Sequence, residues 1–248
     1  MRKPCLFVTG GNSGLGLAAA RRFAAQGTNI AIFARRTDRN DEARSLIEEA
    51  GVSCLAFAGD VCDEAAISAA IRETAATFGG LDYAFNCAGV AQPQVALADI
   101  DAAQFDTLMA VNLWGTFLAM KHEIAVMAEA GGGAICNCSS TAGLVVSATQ
   151  TVYAASKFAV IAMTKGTAQE YAARGIRVNA VCPGATKGEM WLDVARNNPA
   201  FAKAVLARHP LGRVGEVEEV ADAVLYLCRD ATFTTGHALT VDGGRTAG

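Results

Sequence analysis

The sequence predicts an α/β fold, an open, doubly wound parallel sheet of about seven strands with helices on both faces. Three observations carry this prediction. Short apolar runs alternate with longer helix-compatible segments along the whole chain, as successive βαβ units require. The apolar runs are nearly continuous rather than alternating, so each strand is expected to be covered on both faces. The first run leads directly into a glycine-rich turn and a helix, Thr9-Gly10-Gly11-Asn12-Ser13-Gly14-Leu15-Gly16.

The elements follow in order. Cys5–Thr9 is the first strand, and Leu15–Gln26 is a helix stopped by Gly27, a residue suited to a left-handed C-cap. Asn29–Ala34 is the second strand. Asp41–Ala50 reads as a helix that opens with acid, carries Glu48 and Glu49, and ends at Gly51. Cys54–Ala58 is the third strand, and the helix Asp63–Phe78 stops at Gly79-Gly80. After the fourth strand, Tyr83–Asn86, the segment Phe105–Ala130 is long enough for one long helix or a bent pair. Ala134–Cys138 is the fifth strand, Tyr153–Arg174 a helix closed by Gly175, and Arg177–Cys182 the sixth strand. Val217–Arg229 begins beside Glu216, Glu218 and Glu219, acids that favour a helix N-terminus. Ala238–Val241 is the last strand. The alternation runs to this strand without linker or repeat, so residues 1–248 are expected to form one domain.

Composition excludes several classes. With 52% hydrophobic and 18% charged residues, the 248-residue chain is too apolar for disorder. A net charge of -3 and scattered basic residues leave no electrostatic footprint for nucleic acid. The stretch Gly131–Ser156, free of Asp, Glu, Lys, Arg and His, holds three consecutive glycines and many polar residues, so no membrane span is expected. The eight cysteines include no CxxC pair and sit mostly in apolar runs, which fits a reduced, cytoplasmic protein. Cys136 and Cys138 share one face of a strand without further ligands, and His122, His209 and His237 lie far apart, so no metal site is expected. No GxSxG turn supports a serine hydrolase.

The glycine turn has a chemical meaning. Gly10 suits the tight turn, Gly14 lets backbone approach a pyrophosphate, and Gly16 lets the helix sit against the sheet. The first-turn amides, from Asn12 and Ser13 to Leu15, supply donors and partial positive charge. At the end of the second strand stand Ala34, Arg35 and Arg36 where an acid would select an unphosphorylated ribose. Two arginines suit a 2'-phosphate instead, which favours NADP(H) while leaving NAD(H) possible. A solvated basic pair is the competing reading.

The spacing TGxxxGxG, with Asp60-Val61, Asn86-Cys87-Ala88-Gly89, Asn112, Ser139-Ser140, Tyr153-xxx-Lys157, Pro183-Gly184 and the terminal TGHALTVDGG, resembles the short-chain dehydrogenase/reductase family over Thr9 to Gly244. The resemblance implies a Rossmann-type fold and NAD(P)-dependent oxidoreduction of CH–OH groups. It places Asp60 and Val61 beside the adenine, although Asp60 equally suits a helix cap. It puts Asn86, Ala88, Gly89, Pro183 and Gly184 along the cofactor. Three positions depart from the family pattern. Cys87 replaces an asparagine. Ser13 stands where some NADP-using relatives carry a basic residue. Gly188 stands where a threonine is common, leaving Thr186 as the nearby hydroxyl.

Tyr153 and Lys157 are one helical turn apart. A free tyrosine is a poor base at neutral pH. A lysine ammonium about 4 Å away favours the phenolate by about 4 kcal/mol at an effective dielectric near 20, roughly three pKa units. By resemblance, Tyr153 is the acid/base, Lys157 its tuner and a ribose ligand, Ser140 the donor to the substrate oxygen, and Asn112 the holder of a relay water. Ser139 competes with Ser140, and Asn112 also suits a purely structural role. A substrate lid is expected over residues 185–210, with Met190, Trp191 and Leu144 to Val146 as an apolar wall and Gln150 as a polar contact; ordinary packing explains these equally.

The expected substrate is a small carbonyl compound or secondary alcohol. Reduction of 3-oxoacyl thioesters on acyl carrier protein is an alternative, weakened by Gly131 at one place where a basic docking residue belongs. A non-catalytic NADP-sensing scaffold is another, opposed by the complete Asn112, Ser140, Tyr153 and Lys157 set. The resemblance also implies a homotetramer.

Overall fold

A computed structural model describes residues 2–247; the side chains of Met190 and Val194 lie outside the described set. Seven strands form one parallel sheet: β1 (Cys5–Thr9), β2 (Asn29–Ala34), β3 (Cys54–Ala58), β4 (Tyr83–Asn86), β5 (Gly133–Cys138), β6 (Ile176–Pro183) and β7 (Ala238–Val241). Their spatial order is β3-β2-β1-β4-β5-β6-β7. The chain winds outward from β1 to β3, then returns to β4 and winds the other way. The switch point therefore lies between the carboxyl ends of β1 and β4, where a doubly wound sheet opens a crevice.

Alternate side chains of each strand serve opposite layers. Leu6 and Val8 of β1 join Phe23, Ile32, Val220 and Val224 in one core, on the side of α1 (Gly14–Ala24), α2 (Thr37–Glu48) and α9 (Val217–Leu225). Cys5 and Phe7 join Phe33, Ile71, Leu118 and Ile135 in the other, on the side of α3 (Glu64–Phe78) and α5 (Gly115–Ala130). Every residue of β1 is buried, as the unbroken apolar run requires. Asp63 caps α3 by accepting from the Ala66 amide at 3.1 Å.

The expected strands are all present, with β5 and β6 each beginning one residue earlier than read from sequence. Helix α2 starts four residues before Asp41, at Thr37, with Asp38 supplying the first-turn acid. The segment expected as one long helix or a bent pair is α4 (Ala102–Met109) and α5, joined through a π-helical turn, Ala110–Trp114. Helix α6 (Thr151–Tyr171) finishes in a 3₁₀ turn, Ala172–Arg174, and α9 in a π-helical turn, Tyr226–Asp230. After β6 come α7 (Glu189–Asn197) and α8 (Pro199–Leu206), which the sequence reading left only as a lid segment. Among the described residues no helix is long and apolar enough to cross a membrane.

Candidate active site

A groove of about 460 Å³ opens at the switch point, and a smaller cavity of about 180 Å³ adjoins it on the β2 side. The two share Gly10, Ser13, Arg36, Ala88, Gly89 and Val90.

The glycine turn forms the floor between them. Gly10 has a φ of +67°, a conformation that favours glycine, and its amide donates to the Phe33 carbonyl at 2.8 Å. A Cβ on Gly16 would lie 2.2 Å from the Gly10 carbonyl oxygen, so any side chain there would push α1 off the turn. Thr9 Oγ1 accepts from the amides of Cys87 and Ala88 at 3.1 and 3.2 Å, which ties the ends of β1 and β4 together. Ser13 is the N-cap of α1, and its side chain does not cap the helix. Gly14 and Leu15 line the groove with it. This is an anion cradle of the kind helix N-termini make.

The smaller cavity is lined by Asn12, Arg35, Arg36, Asp60 and Val61. Asn12 is buried; its amide donates to Asn40 Oδ1 at 2.8 Å and to the Arg36 carbonyl at 3.4 Å, which fixes the β2–α2 connection against the turn. Arg36 lies 3.7 Å from the Glu189 carboxylate, and Arg39 hydrogen-bonds the same carboxylate. The Arg39 hydrogen bond, aided by the nearby guanidinium charges, holds the Glu189 carboxyl below its ordinary range. Asp60 accepts from the Cys62 amide at 2.9 Å, and the cap of α3 is Asp63.

Tyr153 and Lys157 project from α6 into the larger groove, with Lys157 Nζ 5.7 Å from the centre of the tyrosine ring. Lys157 is only 4% exposed and donates to the Cys138 carbonyl at 2.8 Å. The start of α6 is anchored by Gln92, which accepts from the Tyr153 amide at 2.8 Å and donates to the Thr149 carbonyl at 2.9 Å. The two serines divide by their bonds. Ser139 donates to the Lys157 carbonyl at 2.9 Å and is buried. Ser140 accepts from the Ala142 amide at 3.1 Å, so its own proton is left to give to a ligand in the groove it lines.

Asn112 lies in the π-helical turn, fully buried. Its Oδ1 accepts from the Val90 amide at 2.8 Å, and its Nδ2 donates to the Val90 carbonyl at 3.0 Å and to Ser156 Oγ at 3.3 Å. It thereby clasps the loop after β4 to α6. Beside it, Cys87 and Cys138 meet in the groove. The neighbouring Cys87 thiol, with help from the Lys157 ammonium, outweighs burial and lowers the Cys138 thiol below its ordinary value.

On the opposite wall, Pro183, Gly184 and Thr186 line the groove, and the Thr186 hydroxyl donates to the Gly184 carbonyl at 3.2 Å. Buried His209 supports them, its Nε2 accepting from the Ala185 amide at 3.2 Å while Nδ1 donates to the Val205 carbonyl at 2.8 Å. Gln150 and Trp191 line the groove, while Leu144 to Val146 are exposed and outside its lining; the side chain of Met190 lies outside the described residues.

Asn86 points elsewhere. Its side chain is buried away from both cavities and donates to Glu123 Oε2 at 2.9 Å and to Asn137 Oδ1 at 3.0 Å. Sequence reading missed Glu123, which in sequence is one charge on a long helix. It also missed Ser147, Phe201, Val205, Arg208 and Arg245, all groove-lining. They come from three separate segments that only the folded chain brings together, so no local spacing announces them.

A doubly wound sheet with a glycine cradle at its switch point and a Tyr–Lys pair in the adjoining groove defines a nucleotide-dependent oxidoreductase. Residues 10–246 match the family model described as enoyl-(acyl carrier protein) reductase. The chain belongs to the short-chain dehydrogenase/reductase family. It is 38% identical to 2,5-dichloro-2,5-cyclohexadiene-1,4-diol dehydrogenase of Sphingobium indicum, over 98% of this chain and 96% of that protein. It is 40% identical to cis-4-hydroxycyclohexanecarboxylate dehydrogenase of Sinomonas cyclohexanicum, over 97% and 95%. Among solved structures, ElxO with NADP bound is similar at TM-score 0.92 and 31% identity, covering 100% of both chains. An NAD+-bound xylitol dehydrogenase is similar at TM-score 0.93 and 29% identity, covering 97% of this chain and 98% of that one.

Proposed function

We propose that the protein is an NADP(H)-preferring oxidoreductase that interconverts a small carbonyl compound and its secondary alcohol. The observation that carries this reading is the convergence of Ser140, Tyr153 and Lys157 on one groove whose adjoining cavity holds Arg35 and Arg36.

The residues fit a nicotinamide dinucleotide. The Gly10–Gly16 cradle offers amides to the pyrophosphate, Val61 and Asp60 line the smaller cavity that takes the adenosine, and Arg35 and Arg36 take the 2'-phosphate. When bound, the nicotinamide supplies or accepts the hydride. On reduction, Tyr153 gives its hydroxyl proton to the substrate oxygen; on oxidation, it takes that proton back. The Ser140 hydroxyl donates to the same oxygen and stabilises the charge that builds there. The buried Lys157 ammonium stands beside the Tyr153 ring and, by family resemblance, holds the ribose. Asn112 clasps Val90 to α6 and is the residue to which we assign the relay water. Pro183, Gly184 and Thr186 face the nicotinamide end, and Ala88 and Gly89 the centre of the groove.

We take the chain as one domain whose lid is α7 and α8, acting as a homotetramer in the reducing cytoplasm. The described cysteines are all free thiols, which fits that compartment. Fluorescence titration of the purified protein with NADPH and NADH tests cofactor choice. NADPH binding at least tenfold tighter is expected, and replacing both Arg35 and Arg36 by serine should erase most of that margin. Equal affinities in the unaltered protein would remove the role of the two arginines.

A further inference from the structure

Ser147 stands between the 3₁₀ turn Thr141–Gly143 and α6. Its hydroxyl oxygen accepts from two guanidinium groups, Arg208 Nη1 at 3.0 Å and Arg245 Nη2 at 3.1 Å. Arg208 follows α8, and Arg245 lies in the turn after β7. All three residues line the larger groove together with Gln150, Tyr153 and Trp191, and none of them lines the cavity of Arg35 and Arg36.

Two like charges drawn to one neutral oxygen repel each other unless an anion joins them. Among the described residues, neither arginine forms an ion pair. The nearby carboxylates are engaged elsewhere. Glu189 pairs with Arg36 and Arg39. Asp242 accepts from the amides of Gly244 and Thr246 at 3.0 and 2.9 Å and from the Thr246 hydroxyl at 2.7 Å. Arg245 is half-buried, and this desolvation and the neighbouring Arg208 charge both disfavour its cation. A protein that holds such a pair beside its acid/base tyrosine has a place for negative charge there.

The geometry points to an oxyanion subsite formed by Arg208, Arg245 and Ser147, so that the substrate is a ketone or secondary alcohol bearing a carboxylate or sulfonate. Guanidinium forks match the paired oxygens of these groups. Trp191, Phe201 and Val205 offer an apolar wall for the hydrocarbon that joins the anion to the reacting carbon. The substrate class rests on the reading of the groove as a carbonyl-reducing site.

The test uses the protein saturated with NADPH. The probes are 4-oxopentanoate, 5-oxohexanoate and 6-oxoheptanoate, each beside its methyl ester, and 5-oxohexane-1-sulfonate beside 5-oxohexanoate. Binding is read by calorimetry and turnover by NADPH absorbance. At least one acid is expected to bind tenfold or more tighter than its ester, and that ratio should fall towards one in the Arg208→Gln, Arg245→Gln double variant. Arg245→Lys keeps charge but loses the fork, and should give an intermediate ratio. A sulfonate that outbinds the carboxylate would assign the subsite to sulfonates, and the reverse to carboxylates. Equal binding of acids and esters at every length would overturn the proposal. So would an acid preference that survives in the double variant. If the double variant does not fold, the acid-to-ester ratio of the unaltered protein decides alone. Absence of turnover on every probe would count against the carbonyl-reducing reading, while the binding ratio still decides the oxyanion subsite.

Discussion

Single residues in this protein are set by what surrounds them, and Glu123 is the clearest case. It is wholly buried, with Asn86 donating to one oxygen and, among the described residues, no ion-pair partner. Burial, only partly offset by the Asn86 hydrogen bond, pushes its carboxyl up to about 8. The unfolded chain releases this proton near the ordinary glutamate value, whereas the folded chain holds it until about pH 8. The unfolded state therefore binds fewer protons across that window, and Glu123 lowers stability as pH rises, by up to about 1.4 kcal/mol per unit. Above the window its contribution is flat. Glu123→Gln should gain melting temperature over the unaltered protein progressively from pH 5 to 8; a difference independent of pH would show that Glu123 is ionised in the fold. The Tyr153–Lys157 pair was legible in the sequence because its spacing is local to one helix. Glu123 was not, because a charge on a long helix reads as solvated until the fold shows which face is covered. Arg208, Arg245 and Ser147 were illegible for a related reason, since three segments remote in sequence must meet before their charges have a common target.

At the scale of elements, the first βα turn was readable almost residue by residue, because its glycines answer steric demands that are local. Gly16 is the sharpest of these: Gly16→Ala places a methyl group on the Gly10 carbonyl. That substitution should weaken NADPH binding at least tenfold and lower the melting temperature, measured by fluorescence titration and circular dichroism. Unchanged binding would show that the turn relaxes freely. The π-helical turn at Ala110–Trp114 was beyond sequence reading, since nothing in the residue types distinguishes it from plain helix. Its extra residue belongs to the turn that brings Asn112 to both Val90 and Ser156. The two helices after β6 were also unread, and α8 announces itself mainly through Asn198 capping before Pro199. The early start of α2 reflects a choice between two acids, Asp38 and Asp41, that local spacing alone does not settle.

For the whole molecule, alternating burial along seven parallel strands makes two cores and leaves one crevice, and the chemistry collects there. The glycine cradle, the β4 loop, the strand of Ser140, the helix of Tyr153 and the segment after β6 all end at this crevice, although they span most of the chain. The doubly wound parallel sheet was legible from the alternation of elements. The wall that α7, α8 and the turn after β7 add to the groove was not, because it depends on tertiary packing. The account stands on Tyr153 as the group that moves the proton. Single-turnover reduction of the best carbonyl substrate by the NADPH complex, with Tyr153→Phe compared with the unaltered protein, tests this directly. The account predicts a loss of at least a hundredfold in the rate of hydride transfer with the NADPH dissociation constant changed less than threefold. A Tyr153→Phe protein that transfers hydride at nearly the original rate would contradict it.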